Sequence, residues 1–219
     1  MIIVLGGEKG GTGKTTLATN LAALRVKNGR DVLLVDTDKQ ESANFWAYTR
    51  NENANIADNV NCKQKLGGSV MRVSQDDSKI YTDIIVDAGG RNSIELRATM
   101  TIADILFIPV QPSQFDVWTL TRMDELVFQA KRVNPKMQAF VIVNRASTNP
   151  TVTETEETIE LINEFENLEF SGLVIYDRIA YRRAASFGMS VNELQPPDYK
   201  AIAEMNMLYN MVYKEEINA

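Results

Sequence analysis

Residues 2–16 read IIVLGGEKGGTGKTT, an apolar run that passes directly into a glycine-rich turn. The next apolar positions, Leu17, Leu21 and Leu24, have helical spacing, and Gly29 is a natural end for that helix. A strand, a glycine-rich turn and a helix N-terminus in this order form a phosphate-binding loop, because backbone N–H groups and the helix dipole face the same anion. The sequence therefore predicts a site for a nucleoside triphosphate.

The residue types in this turn suit the contacts that a triphosphate needs. Glycines leave the backbone N–H groups open to phosphate oxygens, since no Cβ blocks the approach. The ammonium group of Lys14 matches the β- and γ-phosphates, and the hydroxyl of Thr15 is a ligand for Mg²⁺. The residues predicted to contact the nucleotide are Gly10, Gly11, Thr12, Gly13, Lys14, Thr15 and Thr16.

The turn departs from the standard pattern G-x-x-x-x-G-K-[ST] at its first position. Counting back from Gly13, that position holds Glu8, and a second lysine, Lys9, follows it. Residues 9–16, KGGTGKTT, resemble the deviant Walker A motif of the ParA/MinD group of ATPases. The resemblance implies ATP and Mg²⁺ as cofactors. It also implies that Lys9 reaches across a nucleotide-sandwich dimer to the partner's phosphates, where it acts as an arginine finger does.

Three aspartates follow strand-like runs, at the ends where a doubly wound sheet binds its ligands. Residues 36–40, DTDKQ, resemble the family motif D-x-D-x-Q, although a lysine here replaces the usual proline. The resemblance implies that Asp38 positions or activates the attacking water and that Asp36 supports the metal shell. Residues 84–90, IIVDAGG, look like a Walker B strand and a switch loop, so Asp87 would hold Mg²⁺ through water. An ordinary cap or turn is the alternative for each aspartate.

Two further segments resemble the same family. Residues 108–116, IPVQPSQFD, resemble a turn that leads into a long helix at the dimer face. Asn144 follows the apolar run at residues 141–143, where the family has an asparagine that hydrogen-bonds the adenine ring. An exposed loop asparagine is the alternative for Asn144.

Short continuous apolar runs alternate with segments of helical spacing along the whole chain. Continuous runs are typical of strands that are buried on both faces of a parallel sheet. The predicted strands are Ile2–Leu5, Val32–Val35, Val60–Lys65, Ile84–Val86, Ile105–Val110, Phe140–Val143 and Leu173–Ile175. The predicted helices are Thr15–Asn28, Asp116–Val133, Thr153–Phe165 and Asp198–Glu216, with a further helix after Gly68. The pattern predicts one doubly wound α/β domain, residues 1–219, with a mostly parallel sheet and helices on both faces.

The composition excludes several classes of protein. The chain has 219 residues, with no histidine and one cysteine, Cys62. The absence of histidine excludes histidine-based catalysis and histidine-built zinc sites, and a single cysteine cannot hold an iron–sulfur cluster. No apolar run approaches the ~20 residues of a membrane span, and no signal peptide is recognisable. The formal net charge of −6 excludes a uniformly basic surface but not a local basic patch. We therefore expect a reduced, cytoplasmic protein.

The resemblance implies a small partition ATPase, since the chain starts on its first strand without a helix-turn-helix. Such a protein dimerises with ATP and binds nonspecific DNA on the nucleoid. It releases the DNA when a ParB-like centromere-binding partner stimulates hydrolysis. Repeated cycles segregate plasmids or chromosomes. Arg178 and Arg182, at i and i+4, and the adjacent Arg183 are the candidate DNA contacts. Lys131 and Arg132 are expected to extend this patch. Pairing of the arginines with nearby acids is the alternative.

Three other functions are compatible with the sequence. A MinD-like ATPase that cycles on membranes needs a basic amphipathic C-terminal helix, but the tail Tyr199–Ala219 carries two lysines against three glutamates. A P-loop metabolic enzyme has a similar fold but needs no lysine donated in trans, so Lys9 argues against it. A scaffold that does not hydrolyse nucleotide would leave Asp38 and Asp87 without a role.

Overall fold

Seven parallel strands form one sheet in the part of the chain that the structure describes, residues 1–90, 94–149 and 151–214. The structure is a computed structural model. The strands are β1 (Ile2–Leu5), β2 (Val32–Asp36), β3 (Asn61–Gln64), β4 (Asp83–Asp87), β5 (Ile105–Val110), β6 (Gln138–Ala146) and β7 (Glu169–Tyr176). Their order is β3-β2-β4-β1-β5-β6-β7, so that β1 lies at the centre. The crevice at the carboxyl end of β1 is therefore the place where such a sheet binds ligands.

Helices cover both faces of the sheet. They are α1 (Lys14–Lys27), α2 (Ser42–Asn51), α3 (Arg72–Gln75), α4 (Ile94–Met100), α5 (Gln114–Lys131), α6 (Glu154–Ile162), α7 (Ile179–Ser186) and α8 (Tyr199–Tyr213). Helices α1, α2, α7 and α8 pack on the face that contains Leu5 and Leu34. Helices α3 to α6 pack on the face that contains Val4 and Leu33. Neighbouring residues of one strand thus enter opposite cores, which explains why the strand sequences are continuously apolar.

The predicted fold class is confirmed, and each predicted strand and helix is present within a few residues of its expected bounds. Gly29 follows α1 with a φ of 72°, as a helix-ending glycine does. The segment after Gly68 contains a 3₁₀ turn, Gly67–Met71, followed by α3. Helices α2, α4 and α7 were not among the predicted helices, since all three are short and α2 buries an arginine on its apolar side. The expected end of the last helix, Glu216, lies outside the described residues.

A largely buried ion pair joins α2 to the turn that precedes α8. The wholly buried guanidinium of Arg50 donates two hydrogen bonds to the Glu193 carboxylate, at 2.8 and 2.9 Å. It also donates to the backbone carbonyls of Asp58 and Gly188, at 2.8 and 3.1 Å. Burial alone would raise the pKa of Glu193, but the hydrogen bonds and the charge of Arg50, together with the hydrogen bonds from Ser190, outweigh burial and hold this pKa below its usual range.

Replacing Arg50 with alanine should lower the free energy of unfolding by about 2–4 kcal/mol, because the Glu193 carboxylate and two backbone carbonyls lose their donor. Urea denaturation measures this change. Alanine at Arg72, an exposed arginine on α3, is the control and should change the free energy by less than about 0.5 kcal/mol. Equal losses in the two variants would contradict a structural role for the ion pair.

Arg50→Ala should also remove the pH dependence that the ion pair with Glu193 gives to the free energy of unfolding. Because the pKa of Glu193 is lower in the folded protein, the contribution of the ion pair is present above the unfolded value, near 4.5, and is lost as the pH falls through the folded value. The difference in stability between wild type and Arg50→Ala should therefore shrink below pH 4.5.

Candidate nucleotide site

A cavity of about 940 Å³ opens at the carboxyl ends of β1, β2 and β4. The three sequence motifs meet there, because the phosphate loop, residues 36–40 and residues 87–90 each follow one of these strands. All the residues predicted to contact nucleotide line it except Thr12 and Asn144. The lining residues are Gly10, Gly11, Gly13, Lys14, Thr15, Thr16, Thr37, Asp38, Lys39, Gln40, Ser42, Leu66, Asp87, Ala88, Gly89, Gly90, Glu95 and Arg145.

The glycine-rich turn is held by contacts from two neighbouring strands. Gly13 has a φ of 95°, in the left-handed region, and α1 begins at the next residue. A Cβ at Gly13 would overlap the side-chain nitrogen of Asn144, so only glycine fits here. Asn144 Nδ2 donates to the carbonyl of Thr12 at 2.6 Å, and Gln111 Nε2 donates to that of Gly11 at 3.1 Å. The phosphate loop is thus tied to the ends of β6 and β5.

Lys14 is the buried cation of the site. Its ammonium group donates to the carbonyl of Lys9 at 2.7 Å, which holds the side chain across the loop. Burial lowers the pKa of Lys14, while the carboxylates of Asp87 and Asp38 act in the opposite direction. Phosphate oxygens beside this ammonium group would stabilise its charged form, so the environment fits the predicted role. Lys9 is half-buried, and its contact with a partner's phosphates stays a prediction.

Thr15 and Asp87 lie together at the predicted magnesium position. The Thr15 hydroxyl donates to Asp87 Oδ2 at 2.6 Å. Asp87 is buried, and burial raises its pKa to about 7. The two neighbouring aspartates contribute to this rise, whereas the Thr15 hydroxyl and Lys14 oppose it. A divalent cation beside Asp87 would favour the ionised carboxylate, so the electrostatics of the site fit Mg²⁺.

The protein alone supplies few ligands to a metal ion at this position. Among residues 1–90, 94–149 and 151–214, no group of three or more His, Cys, Asp or Glu side chains could hold one. In nucleotide sites Mg²⁺ keeps several waters and takes phosphate oxygens as further ligands. One hydroxyl and one carboxylate, from Thr15 and Asp87, are therefore a sufficient protein contribution when a nucleotide is bound.

Asp36, the third predicted metal residue, contacts backbone groups in the structure. Its carboxylate is fully buried, and Oδ1 accepts from the N–H of Asp38 at 2.9 Å. Oδ2 accepts from the N–H groups of Ala43 and Asn44 in the first turn of α2, at 2.9 and 3.1 Å. A carboxylate at this position stabilises the helix N-terminus and fixes the turn that carries Asp38. A contribution of Asp36 to the metal shell stays a prediction.

Asp38 lies on the wall of the cavity and is half-buried, so a water molecule in the cavity has access to it. This position suits its predicted role of holding the attacking water. The switch glycines lie close to the same turn. Gly89 N–H donates to Thr37 Oγ1 at 3.1 Å, and Gly90 lies beside the phosphate loop. The loop at residues 87–90 thus touches both of the other motifs.

A second cavity, of about 100 Å³, adjoins the phosphate loop on the side of β6 and β7 and is the candidate position for the base. Asn144 is buried there, and its amide nitrogen already donates to the loop. Its hydrogen bond to adenine stays a prediction. The lining residues are Gly13, Thr16, Leu17, Asn144, Arg145, Ile175, Tyr176, Asp177, Arg178, Tyr181, Arg182 and Ala185.

Two residues that contact this region were not predicted as site residues. Arg145 lines both cavities, and its φ of 56° lies in the left-handed region. Gln111 anchors the phosphate loop through Gly11. Arg145 directly follows Asn144, and Gln111 lies in the segment that resembles the dimer-face turn. Nothing in the residue types alone marks either side chain as part of the nucleotide site.

The predicted DNA-contacting arginines flank the second cavity. Arg178, the N-cap of α7, and Arg182 both line it. Arg178 Nε pairs with the buried carboxylate of Glu204 at 2.8 Å, and Arg182 Nη1 pairs with Asp177 at 3.0 Å. Arg183 is exposed and lines a different cavity, beside α2. The positive charge of this patch is thus partly neutralised within the chain.

Lys131 and Arg132 do not extend this patch. They stand at the C-terminal end of α5, which packs on the opposite face of the sheet from α7. Helix α5 returns the chain to the amino end of β6, whereas Arg178 follows the carboxyl end of β7. The expectation of one continuous patch is therefore wrong, because the two groups lie on opposite faces and at opposite ends of the sheet. Their DNA contacts are separate predictions.

Comparison with known proteins agrees with this geometry. A family model, the CobQ/CobB/MinD/ParA nucleotide binding domain, matches residues 3–191. The chain is 29% identical over 213 residues to the maintenance of carboxysome distribution protein A of Halothiobacillus neapolitanus, covering 93% of this chain and 92% of that protein. It is 23% identical over 196 residues to protein ParA of Rhizobium radiobacter, covering 89% and 86%. The structure of a Cyanothece McdA variant in complex with ATP matches with a TM-score of 0.73 at 17% identity, covering 100% and 98%.

Gly13→Ala should weaken nucleotide binding at least about tenfold, because the loop cannot keep its conformation with a Cβ against Asn144. Titration with a fluorescent ATP analogue measures the affinity. Gly29→Ala is the matched control, since Gly29 also has a positive φ, of 72°, but no atom lies within 4 Å of its added Cβ. The control should lose about 1 kcal/mol of stability and keep its affinity. Equal affinities for all three proteins would contradict the loop assignment.

Proposed function

The chain belongs to the family of CobQ/CobB/MinD/ParA nucleotide-binding domains, and from this membership we propose that it is an ATPase that positions a cargo in the cell. The proposed reaction is the Mg²⁺-dependent hydrolysis of ATP to ADP and phosphate. The contact between Thr15 and Asp87, beside the buried Lys14, carries the proposal. It puts two oxygen ligands for a metal ion next to the cation that the phosphates need.

Each residue of the site has a distinct task in the proposed reaction. Lys14 neutralises charge on the β- and γ-phosphates. Thr15 and Asp87 would hold Mg²⁺, which supplies further positive charge to the phosphate oxygens. Asp38 positions the attacking water in the cavity. Phosphoryl transfer depends on positioning and charge neutralisation, so a chain without histidine can perform it.

The proposed active form is an ATP-dependent homodimer. Lys9 directly precedes Gly10 and Gly11, two glycines of the phosphate loop that line the large cavity. A second chain that faces this cavity would bring its own Lys9 to the phosphates, where the added positive charge stabilises the transition state. Each site is then complete only in the dimer.

Nonspecific DNA is the proposed track of this dimer, and a ParB-like protein is the proposed partner that stimulates hydrolysis. The likeness to ParA-type proteins supports both. Because the chain carries a net charge of −6, binding needs a concentrated basic surface, for which Arg182 and Arg183 are the exposed candidates. Dimerisation doubles this surface and so makes DNA binding depend on ATP. The ATP-bound protein would then be found on the nucleoid.

Two kinds of cargo are proposed. The resemblance to partition ATPases favours plasmid or chromosomal DNA. The relative from Halothiobacillus, whose name refers to the distribution of carboxysomes, favours a carboxysome instead. Both cargoes require the same cycle of ATP binding, dimerisation and hydrolysis, so the site residues have the same tasks in either case.

The packing of the C-terminal helix supports a role in the core. The buried side of α8 contains Met205, Leu208 and Tyr209, which pack in the core with α1. In the described part of the chain, no helix is long and apolar enough to cross a membrane.

Lys14→Ala should weaken ATP binding at least about tenfold, because the phosphates lose their buried cation. Asp38→Ala should bind ATP as the wild type does but lose hydrolysis by about two orders of magnitude, because only water positioning is removed. Phosphate release and binding of a fluorescent ATP analogue separate the two effects. Lys79→Ala, at an exposed lysine outside the cavity, controls for charge. Normal hydrolysis by Asp38→Ala would show that another group positions the water.

ATP should convert the Asp38→Ala protein from monomer to dimer, and the further change Lys9→Ala should prevent this while ATP still binds. The reason is that phosphate charge facing solvent in the monomer is met by the partner's lysine in the dimer. Light scattering at saturating ATP gives the mass. A protein that binds ATP and remains monomeric would contradict the proposed dimer.

DNA binding should require ATP and should weaken with salt. A plot of log affinity against log salt concentration should fall with a slope of about 0.9 for each phosphate that the protein neutralises. Replacing Arg182 and Arg183 with alanine should weaken binding to all DNA sequences alike. Because Arg182 lines the candidate base cavity, Arg183→Ala alone is the variant that should leave ATP affinity unchanged. Fluorescence anisotropy with a labelled DNA duplex measures both effects. The double variant Lys131→Ala/Arg132→Ala removes the same charge from the opposite face. Loss of DNA binding in that variant alone would move the contact away from α7.

A further inference from the structure

Glu8 places a carboxylate in the phosphate loop, where the standard pattern has glycine. Only 10% of its side chain is exposed, and Oε1 lies 3.1 Å from Nε of Arg122 on α5. This oxygen is buried and has no hydrogen bond of good geometry to any described residue. The ion pair with Arg122 is therefore the interaction that the structure shows for it.

A buried carboxylate is an unusual component of a loop that binds a triphosphate. Like charges at short distance repel, and the repulsion is stronger where protein replaces water. Glu8 does not line the large cavity itself but lies two residues before Gly10, which does, so without a compensating cation its charge would oppose the binding of ATP. The guanidinium of Arg122 supplies that compensation from a helix outside the loop.

The ion pair also fixes the backbone that carries Lys9. Glu8 is held through its side chain by Arg122, and the carbonyl of Lys9 accepts from Lys14 Nζ at 2.7 Å. Two consecutive residues are thus anchored, one to α5 and one to the start of α1. The direction in which the Lys9 side chain leaves the loop depends on both anchors.

We propose that Arg122 is a positioning residue of the nucleotide site. By neutralising and holding Glu8, it makes the phosphate loop compatible with ATP and fixes the backbone from which Lys9 extends. The second part rests on the proposed dimer, whereas the first concerns ATP binding by one chain. Arg122 itself is 61% exposed, so water screens the pair and its contribution to folding is small. The loss of Arg122 should therefore change the affinity for ATP and leave the stability of the fold nearly unchanged.

A double-mutant cycle with a fluorescent ATP analogue tests the first part. Arg122→Ala should weaken ATP affinity about threefold to tenfold, and Arg122→Lys should restore part of it. Glu8→Gln removes the charge that needs compensation, so Arg122→Ala in the Glu8→Gln background should change affinity by less than about twofold. Arg97→Ala, at an exposed arginine on α4 in the same layer, should leave affinity unchanged. Urea denaturation should give similar stabilities for all variants.

Light scattering tests the second part. In the Asp38→Ala background at saturating ATP, Arg122→Ala should need about threefold to tenfold more protein to dimerise. If Asp38→Ala alone binds ATP and stays monomeric, the proposed dimer fails, and the affinity cycle still decides the role of Arg122 in ATP binding. An equal loss of affinity from Arg122→Ala in both Glu8 backgrounds, or no loss in either, would overturn the proposal.

Discussion

The hydrogen bond from Asn144 to the carbonyl of Thr12 joins the phosphate loop to a strand end 132 residues further along the chain. Together with the bond from Gln111 to Gly11, it braces the loop from the side of β5 and β6. Both contacts require β1, β5 and β6 to be neighbours, as the parallel order provides. The loop must keep one conformation to present its N–H groups to an anion, and the sheet supplies the fixed points.

The candidate nucleotide site contains buried negative charges that need compensation. Asp36 and Asp87 are buried, and burial raises the pKa of both. The protein can hold such carboxylates because each accepts hydrogen bonds, Asp36 from the backbone and Asp87 from Thr15. A metal ion and the ammonium of Lys14 would complete the compensation once phosphates enter. At the other end of the loop, the carboxylate of Glu8 is likewise paired with a cation, the guanidinium of Arg122 on α5.

The surface proposed to contact DNA is built on the same helix that borders the second cavity. Arg178 and Arg182 line that cavity, while Glu204 and Asp177 neutralise part of their charge. Arg183 is exposed beside them, and Lys131 lies on the other face of the sheet. Any basic surface near α7 is consequently close to the candidate nucleotide site, whereas the end of α5 is not. The distance between these two basic groups follows from the way the chain connects the strands, and the spacing of the residues in the sequence does not reveal it.

The sequence by itself determined the strands, the long helices and the phosphate loop, because continuous apolar runs and Gly-Lys-Thr-Thr are local signals. It also indicated Asp38 and Asp87, since Asp38 lies two residues after β2 and Asp87 ends β4. Contacts between residues far apart in the chain were decided by tertiary structure alone. Sequence spacing could not reveal that Arg122 meets Glu8, that Arg50 is buried against Glu193, or that Lys131 and Arg178 lie on opposite faces. Such pairs depend on how the helices pack on the sheet, and that packing is not encoded in any short segment.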